Sequence, residues 1–274
     1  MTLISLLLVL ALERTGFNGH SWHVETYTGR YYHFLLRQGI VKDQSTPWVI
    51  LGVALLPALL LLAVLQMLDM ALIELAVSVL LLLVAIGCPL YRASYKGYLQ
   101  ASARGDVEGS NIYAEQMGYV PRDDYSFGQH LMWINYRHYA AVMIWFAVFG
   151  AAGALLYVLT RSLVLMLEED QHPASIQAQQ VLEWLDWVPV RVAAFGLLIV
   201  GHFSKALPVW VTSAGNAGRP ARSLLTEVAQ AAEVIEPEEL SCNTEPCAMV
   251  ALAKRNTLFL LVMLSLLSLA GLLP

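Results

Sequence analysis

The chain has 274 residues, of which 58% are hydrophobic and 14% charged, against roughly 45–50% and about 25% in soluble domains. That balance excludes an ordinary soluble globular protein and predicts a membrane protein. The formal net charge of −5 argues against nucleic acid as a partner, which would call for a basic face.

Residues 2–12 are apolar, but eleven residues reach only about half of a hydrocarbon core roughly 30 Å thick. The segment is expected to enter the membrane without crossing it. No Lys or Arg precedes it and it meets Glu13-Arg14 directly, a poor fit to a signal peptide. Residues 20–37 bring Trp22, Tyr27, Tyr31 and Phe34 at roughly helical spacing, with Arg30 and Arg37 nearby. This composition suits a helix at headgroup level, where aromatic rings keep one apolar body and one wet edge. Residues 47–68 and 70–91 are mostly apolar and separated only by Asp69, predicting a transmembrane hairpin.

Residues 92–137 read as an ordered soluble loop. Asp106 is the expected N-cap of a helix over 107–117 and Gly118 its stop, while Pro121 and then Asp124 introduce a helix running through Trp133. That helix leads into a third span at 139–160. Residues 188–203 form a fifth candidate crossing, interrupted by Arg191, with Pro189 suited to its first turn and Asp186 near its N-terminus. A cation in a lipid-suited helix needs a bound group or an internal partner, and Asp186 is the expected structural partner of Arg191. Residues 222–235 have the spacing of a one-sided amphipathic helix. Residues 235–246 read as an acidic exposed loop, and 257–273 as the last span.

Segments 13–46, 92–137 and 204–256 hold fourteen of the sixteen basic residues, whereas 161–186 holds only Arg161 against five acids. Five crossings put those three segments on one side, which the positive-inside rule makes cytoplasmic. The expected architecture is all-α: one polytopic membrane domain of four to five transmembrane helices, plus interfacial and cytoplasmic helices. Cys88 reads as a small apolar residue. Cys242 and Cys247 could pair only in an oxidising compartment, so their state depends on whether 188–203 crosses.

No Walker-type phosphate loop or nucleophile elbow is present. The stretch Ser213-Ala-Gly-Asn-Ala-Gly-Arg-Pro220, with Arg219 and Arg222, is open to reading as an anion-contacting or simply flexible turn. His20 and His23, and His130 and His138, face similarly on helices but lack a third ligand, so no metal site is expected. The run Trp133-Ile-Asn-Tyr-Arg-His-Tyr139 crowds Asn135, Arg137 and His138 at the entrance of a span. Arg104, Lys205 and Lys254-Arg255 come to the same interface under the assigned topology. The candidate ligand residues are therefore Arg104, Asn135, Arg137, His202 and Lys205, several cations at one interface making an anion site. Arg191 and His202 share a helix face but lie ~16 Å apart along its axis, too far to meet at one small centre.

Several motifs in order carry a resemblance. They are Leu-Val-Leu-Ala-Leu-Glu-Arg at 8–14, Ala101 with Arg104 and Asp106, Trp133 through Tyr139, Leu185-Asp-Trp-Val-Pro-Val-Arg191, Gly201-His202, Lys205-Ala-Leu-Pro-x-Trp210 and Ala253-Lys254. On them the chain resembles the AmpE family of bacterial inner-membrane proteins; one departure is Ala140-Ala-Val-Met143, where relatives carry a proline. The resemblance implies a multi-pass inner-membrane accessory of β-lactamase induction and cell-wall recycling, described as sensor-like and as a possible nucleotide binder. More remotely, the early Glu-Arg, Gly105-Asp-Val-Glu108, Pro121-Arg-Asp123 and Pro-x-Arg at 189–191 are similar to the membrane amide synthases of cobalamin assembly. That likeness implies ATP-dependent amide formation with nucleotide and Mg²⁺, for which Glu13, Asp106 and Asp186 are the suggestive carboxylates. A third alternative is a scaffold recruiting a protein partner through 222–235.

Overall fold

The computed structural model describes residues 2–14, 24–68, 70–86, 89–121, 124–216, 218–233 and 244–272, and among them no strand occurs. The helices are α1 (Thr2–Arg14), α2 (Val24–Arg37), α3 (Pro47–Leu68), α4 (Ala71–Ala85), α5 (Pro89–Ala103), α6 (Val107–Gln116), α7 (Phe127–Asn135), α8 (Ala141–Glu169), α9 (Ser175–Val200), α10 (Phe203–Ala214), α11 (Ala221–Ala232) and α12 (Thr244–Leu269). A π-helical turn, Tyr136–Ala140, joins α7 to α8 without a break. Among the described residues, four stretches are long and apolar enough to cross a membrane: Pro47–Leu68, Ala71–Ala103, Phe127–Glu169 and Glu245–Leu269. The 26-residue α9 is not among them, because charged side chains interrupt it.

The chain divides into two compact units. Unit 1 comprises Met1–Gly87, Ala141–Pro189 and Leu261–Pro274; unit 2 comprises Cys88–Ala140 and Val190–Leu260.

In unit 1, α8 packs against α1, α2, α3 and α4. Its buried Ala147, Ala151, Ala152, Gly153 and Ala154 are small, which lets neighbouring backbones approach closely without any hydrophobic drive between helices in lipid. Gly150 kinks α8 with φ of +61°, a conformation that favours glycine. The short α1 packs on α4 with Ser5, Leu6 and Val9 buried. Polar contacts at one end correct the side assignment made from charge. Tyr32 donates to Asp170 Oδ2 at 2.7 Å, His172 Nε2 lies 3.5 Å from Asp43 Oδ1, and the rings of Trp48 and Trp184 are 5.5 Å apart. Side chains in contact cannot be separated by a hydrocarbon core of roughly 30 Å, so residues 32–48 and 170–184 share one face. Four basic residues in 13–46 were too weak a signal against these contacts.

Two local expectations also change. Helix α9 starts at Ser175, so Asp186 and Pro189 stand in its interior rather than at an N-terminus. A mid-helix proline has no N–H for the carbonyl four residues back. That carbonyl, Leu185 O, instead accepts from Trp145 Nε1 of α8 at 3.3 Å, the kind of neighbouring-helix repair that makes intramembrane proline tolerable. Helix α8 continues to Glu169, so Arg161 is 2% exposed inside it rather than beside a helix end.

In unit 2, α5 and α6 form a hairpin; a Cβ at Gly97 would stand 2.4 Å from the Tyr113 ring, so the crossing needs glycine. Asp106 caps α6 by accepting from Gly109 N at 2.8 Å, and Gly118 ends it with φ of +79°. The cap of α7 is Ser126: Ser126 Oγ accepts from Gln129 N at 3.2 Å while Gln129 Oε1 accepts from Ser126 N at 2.9 Å. Tyr98, Ala114, Met117, Phe127 and Leu131 form a common core of α5, α6 and α7. Helix α11 packs on α7 and α10, burying Leu224, Leu225, Val228, Ala229 and Ala232. The amphipathic helix expected over 222–235 thus ends at Ala232, with its apolar face covered inside unit 2.

Candidate functional site

Arg191 finds backbone partners. In unit 2, α10 returns alongside α9, and Trp210 Nε1 donates to Arg191 O at 3.4 Å. The Arg191 guanidinium donates to Ala214 O at 3.2 Å and Asn216 O at 3.3 Å. These carbonyls mark the C-terminal end of α10, where a cation complements the helix dipole. In unit 1, Asp186 is fully buried and its Oδ1 accepts from Tyr157 OH at 2.8 Å. Arg161 stands one turn beyond Tyr157 on α8, hence on the same face. Asp186 and Arg191 stand five positions apart on α9.

The other end of α9 meets α11 and α12 in unit 2. His202 N donates to Ala232 O at 2.8 Å, and Arg255 of α12 donates to Val200 O at 3.4 Å while pairing with Glu233. The chain passes so closely here that a Cβ at Gly201 would lie 2.6 Å from Ala232 O. The next residues of α12 reach further: Asn256 Nδ2 donates to Ala193 O at 3.1 Å, and Thr257 Oγ1 lies 3.2 Å from Asn135 Oδ1. Three consecutive residues therefore tie α9, the end of α11 and the end of α7 together. His202 is the N-cap of α10, without a side-chain capping bond, and Lys205 occupies the first turn. Both side chains are exposed and have no side-chain partner among the described residues. Unsatisfied N–H groups, a helix dipole and a cation together favour a negative ligand.

Arg137 lies on the π-helical turn, its guanidinium 4.6 Å from the centre of the Trp133 ring. His138 is buried, edge-on to Tyr91 with centroids 5.1 Å apart. Short π-helical turns concentrate at functional positions because they rotate the side chains that follow. Arg104 sits at the exposed tip between α5 and α6, its Nε donating to Gln100 O at 3.1 Å. The contacts thus bring Asn135 to α12 and His202 to α11, while Arg104 turns back on its own helix. Asp106 is occupied in capping α6, and the Glu13 side chain lies outside the described residues.

A second polar centre in unit 2 was not legible from residue spacing. His130 Nε2 lies 2.9 Å from Met117 O, and Arg222 Nη2 lies 3.0 Å from His130 Nδ1. Since arginine only donates, Nδ1 accepts and Nε2 carries the proton. Arg222 also stacks 4.4 Å above the Tyr125 ring, and Tyr125 OH lies 2.9 Å from Ser223 Oγ. Arg219 is held by Ser213 Oγ at 2.8 Å and paired with Glu227, so both arginines of the glycine-rich turn have internal partners. Cys247 is exposed, with Tyr95 OH 3.8 Å from its sulfur. Cys88, Cys242, His20 and His23 lie outside the described residues, and among the described residues no group of His, Cys, Asp and Glu is arranged to hold a metal.

The family described as Regulatory signalling modulator protein AmpE matches residues 1–274. The chain is 32% identical over 288 residues to Protein AmpE of Shigella flexneri, covering 99% of each. It is 28% identical over 176 residues to Cobalamin biosynthesis protein CobD of Chromobacterium violaceum, covering 60% of this chain and 55% of that one. No solved structure matches. With an all-helical architecture, four stretches able to cross a membrane and a match along its whole length, the chain belongs to the AmpE family and is a regulatory membrane protein.

Proposed function

We propose that this protein is an inner-membrane accessory of β-lactamase induction and cell-wall recycling that senses an anionic metabolite on unit 2. Arg104, Asn135, Arg137, His202 and Lys205 are the ligand residues of this reading. Its main support is the uncapped start of α10, where His202 and Lys205 are exposed and joined through α12 to Asn135. A nucleotide or an anhydro-muramyl peptide offers the phosphate or carboxylate that such a group of donors recognises.

The test is calorimetric titration of the purified protein with Mg-free ATP and with an anhydro-muramyl tripeptide. Binding of either that weakens in Lys205→Ala and Arg137→Ala supports the reading, and unchanged affinity in both rejects it. The same variants, complementing a deletion strain, should alter β-lactamase induction by a β-lactam.

The amide-forming alternative draws on the partial likeness to the CobD protein. It requires carboxylates free to bind Mg²⁺, yet Asp106 caps α6 and Asp186 accepts from Tyr157. ATP turnover abolished by Glu13→Gln would restore it. Burial of Leu224, Leu225, Val228, Ala229 and Ala232 on the apolar side of α11 weighs against the scaffold alternative.

A further inference from the structure

Unit 1 contains an open cleft of about 400 Å³ between α2, α4 and α8, within the roughly 300–1,000 Å³ of small-molecule sites. Val77, Leu81 and Val84 of α4 and Leu155 and Val158 of α8 give it aliphatic walls. The only side-chain polar groups in its lining are the hydroxyls of Tyr27 and Thr28, both on α2. Water is a poor occupant, because a stable water needs two to four polar partners and these walls supply almost none. Helix α4 lies in a stretch apolar enough to cross a membrane, so what reaches the walls is hydrocarbon. A chain lying in the cleft gains dispersion contacts on several sides, unlike one lying against a convex helix surface.

Helix α2 adds a charge to one edge. Arg30, one turn beyond Tyr27 and on the same face, is exposed and has no ion-pair partner among the described residues. Such an arginine lays its stem along apolar surface and presents its guanidinium at headgroup depth, where it pairs with phosphate. We propose that the cleft is a lipid site: it seats one acyl chain of an anionic phospholipid, with the phosphate at Arg30 and the ester region beside Tyr27 and Thr28.

Native mass spectrometry of the protein extracted in mild detergent, with added phosphatidylglycerol, phosphatidylethanolamine or oleic acid, tests this. One retained phospholipid per chain is expected, with phosphatidylglycerol preferred. Leu80→Trp, at a half-exposed lining position, should lower retention by roughly tenfold, equivalent to about two lost methylene burials. Arg30→Gln should keep a lipid bound but abolish the preference for phosphatidylglycerol. A diazirine on the acyl chain of phosphatidylglycerol, in nanodiscs of the wild-type protein, should label α2, α4 and α8, a readout independent of how the variants fold. Labelling no greater than on the exposed Leu56, Leu59 and Leu60 of α3, equal retention of oleic acid, or retention unaffected by Leu80→Trp would each overturn the proposal.

Discussion

Trp145 and Pro189 offer a test of how unit 1 tolerates a proline inside α9. Pro189 has no N–H for Leu185 O, and the Trp145 indole donates to that carbonyl at 3.3 Å. Leu185 is 8% exposed, so Trp145→Phe leaves a desolvated acceptor, at a cost of about 1–3 kcal/mol. The phenyl ring keeps most of the stacking against Phe149, whose centroid lies 5.5 Å away, so the smaller ring adds only a modest packing loss. Pro189→Ala returns the N–H to the helix, and the carbonyl then has an internal donor. In that background Trp145→Phe should cost no more than its packing loss, giving a coupling of about 1–2 kcal/mol between the two sites. The assay is reversible unfolding in mixed detergent–SDS micelles, followed by far-ultraviolet circular dichroism for wild type, both single variants and the double variant. Equal cost of Trp145→Phe in both backgrounds, with coupling below about 0.5 kcal/mol, would refute the repair of the proline gap by the indole.

Arg191→Leu should destabilise the end of α10 by about 1.5–3 kcal/mol through lost bonds to Ala214 O and Asn216 O. Hydrogen exchange should show lost protection there while ligand affinity holds; a selective loss of binding would instead place Arg191 in the site. Asp43→Cys and His172→Cys together should cross-link under mild oxidation, since their native side chains lie 3.5 Å apart, and opposite-side labelling of the two would contradict the fold. Gly196→Ala puts a Cβ 2.3 Å from Asn256 Oδ1 and should cost about 1–3 kcal/mol; Asn256→Ala in the same chain should remove that clash, as read from paired melting curves. Burial, then the hydrogen bond and charge of Asp170, push the Tyr32 phenol well above its ordinary value of 10.0. The folded state therefore holds that proton more tightly than the unfolded chain. The resulting stability is complete below about pH 10 and lost as pH rises beyond it, and Tyr32→Phe should flatten that alkaline decline.

Local features were legible where their cause was local. Asp106 as a cap and Gly118 as a stop need only a few neighbouring residues and a positive φ, and both stand where the pattern put them. Ser126 was not singled out, because its capping box rests on a reciprocal bond with Gln129 that residue type alone does not mark. His130 and Arg222 are 92 positions apart, and no periodicity connects such residues. The Glu13 expectation lies beyond the described side chains.

By itself the sequence determined a helical membrane protein, its principal spans and the motifs that mark its family, because apolar run length and local propensity act over one or two helices. Tertiary structure decided which groups meet Arg191 and Asp186. Arg191 donates to two backbone carbonyls at the end of α10, and Asp186 accepts from a tyrosine of α8. Carbonyls belong to every residue and leave no mark in a sequence. Only the return of α10 along α9 and the packing of α8 against α9 bring those particular acceptors and donors within reach.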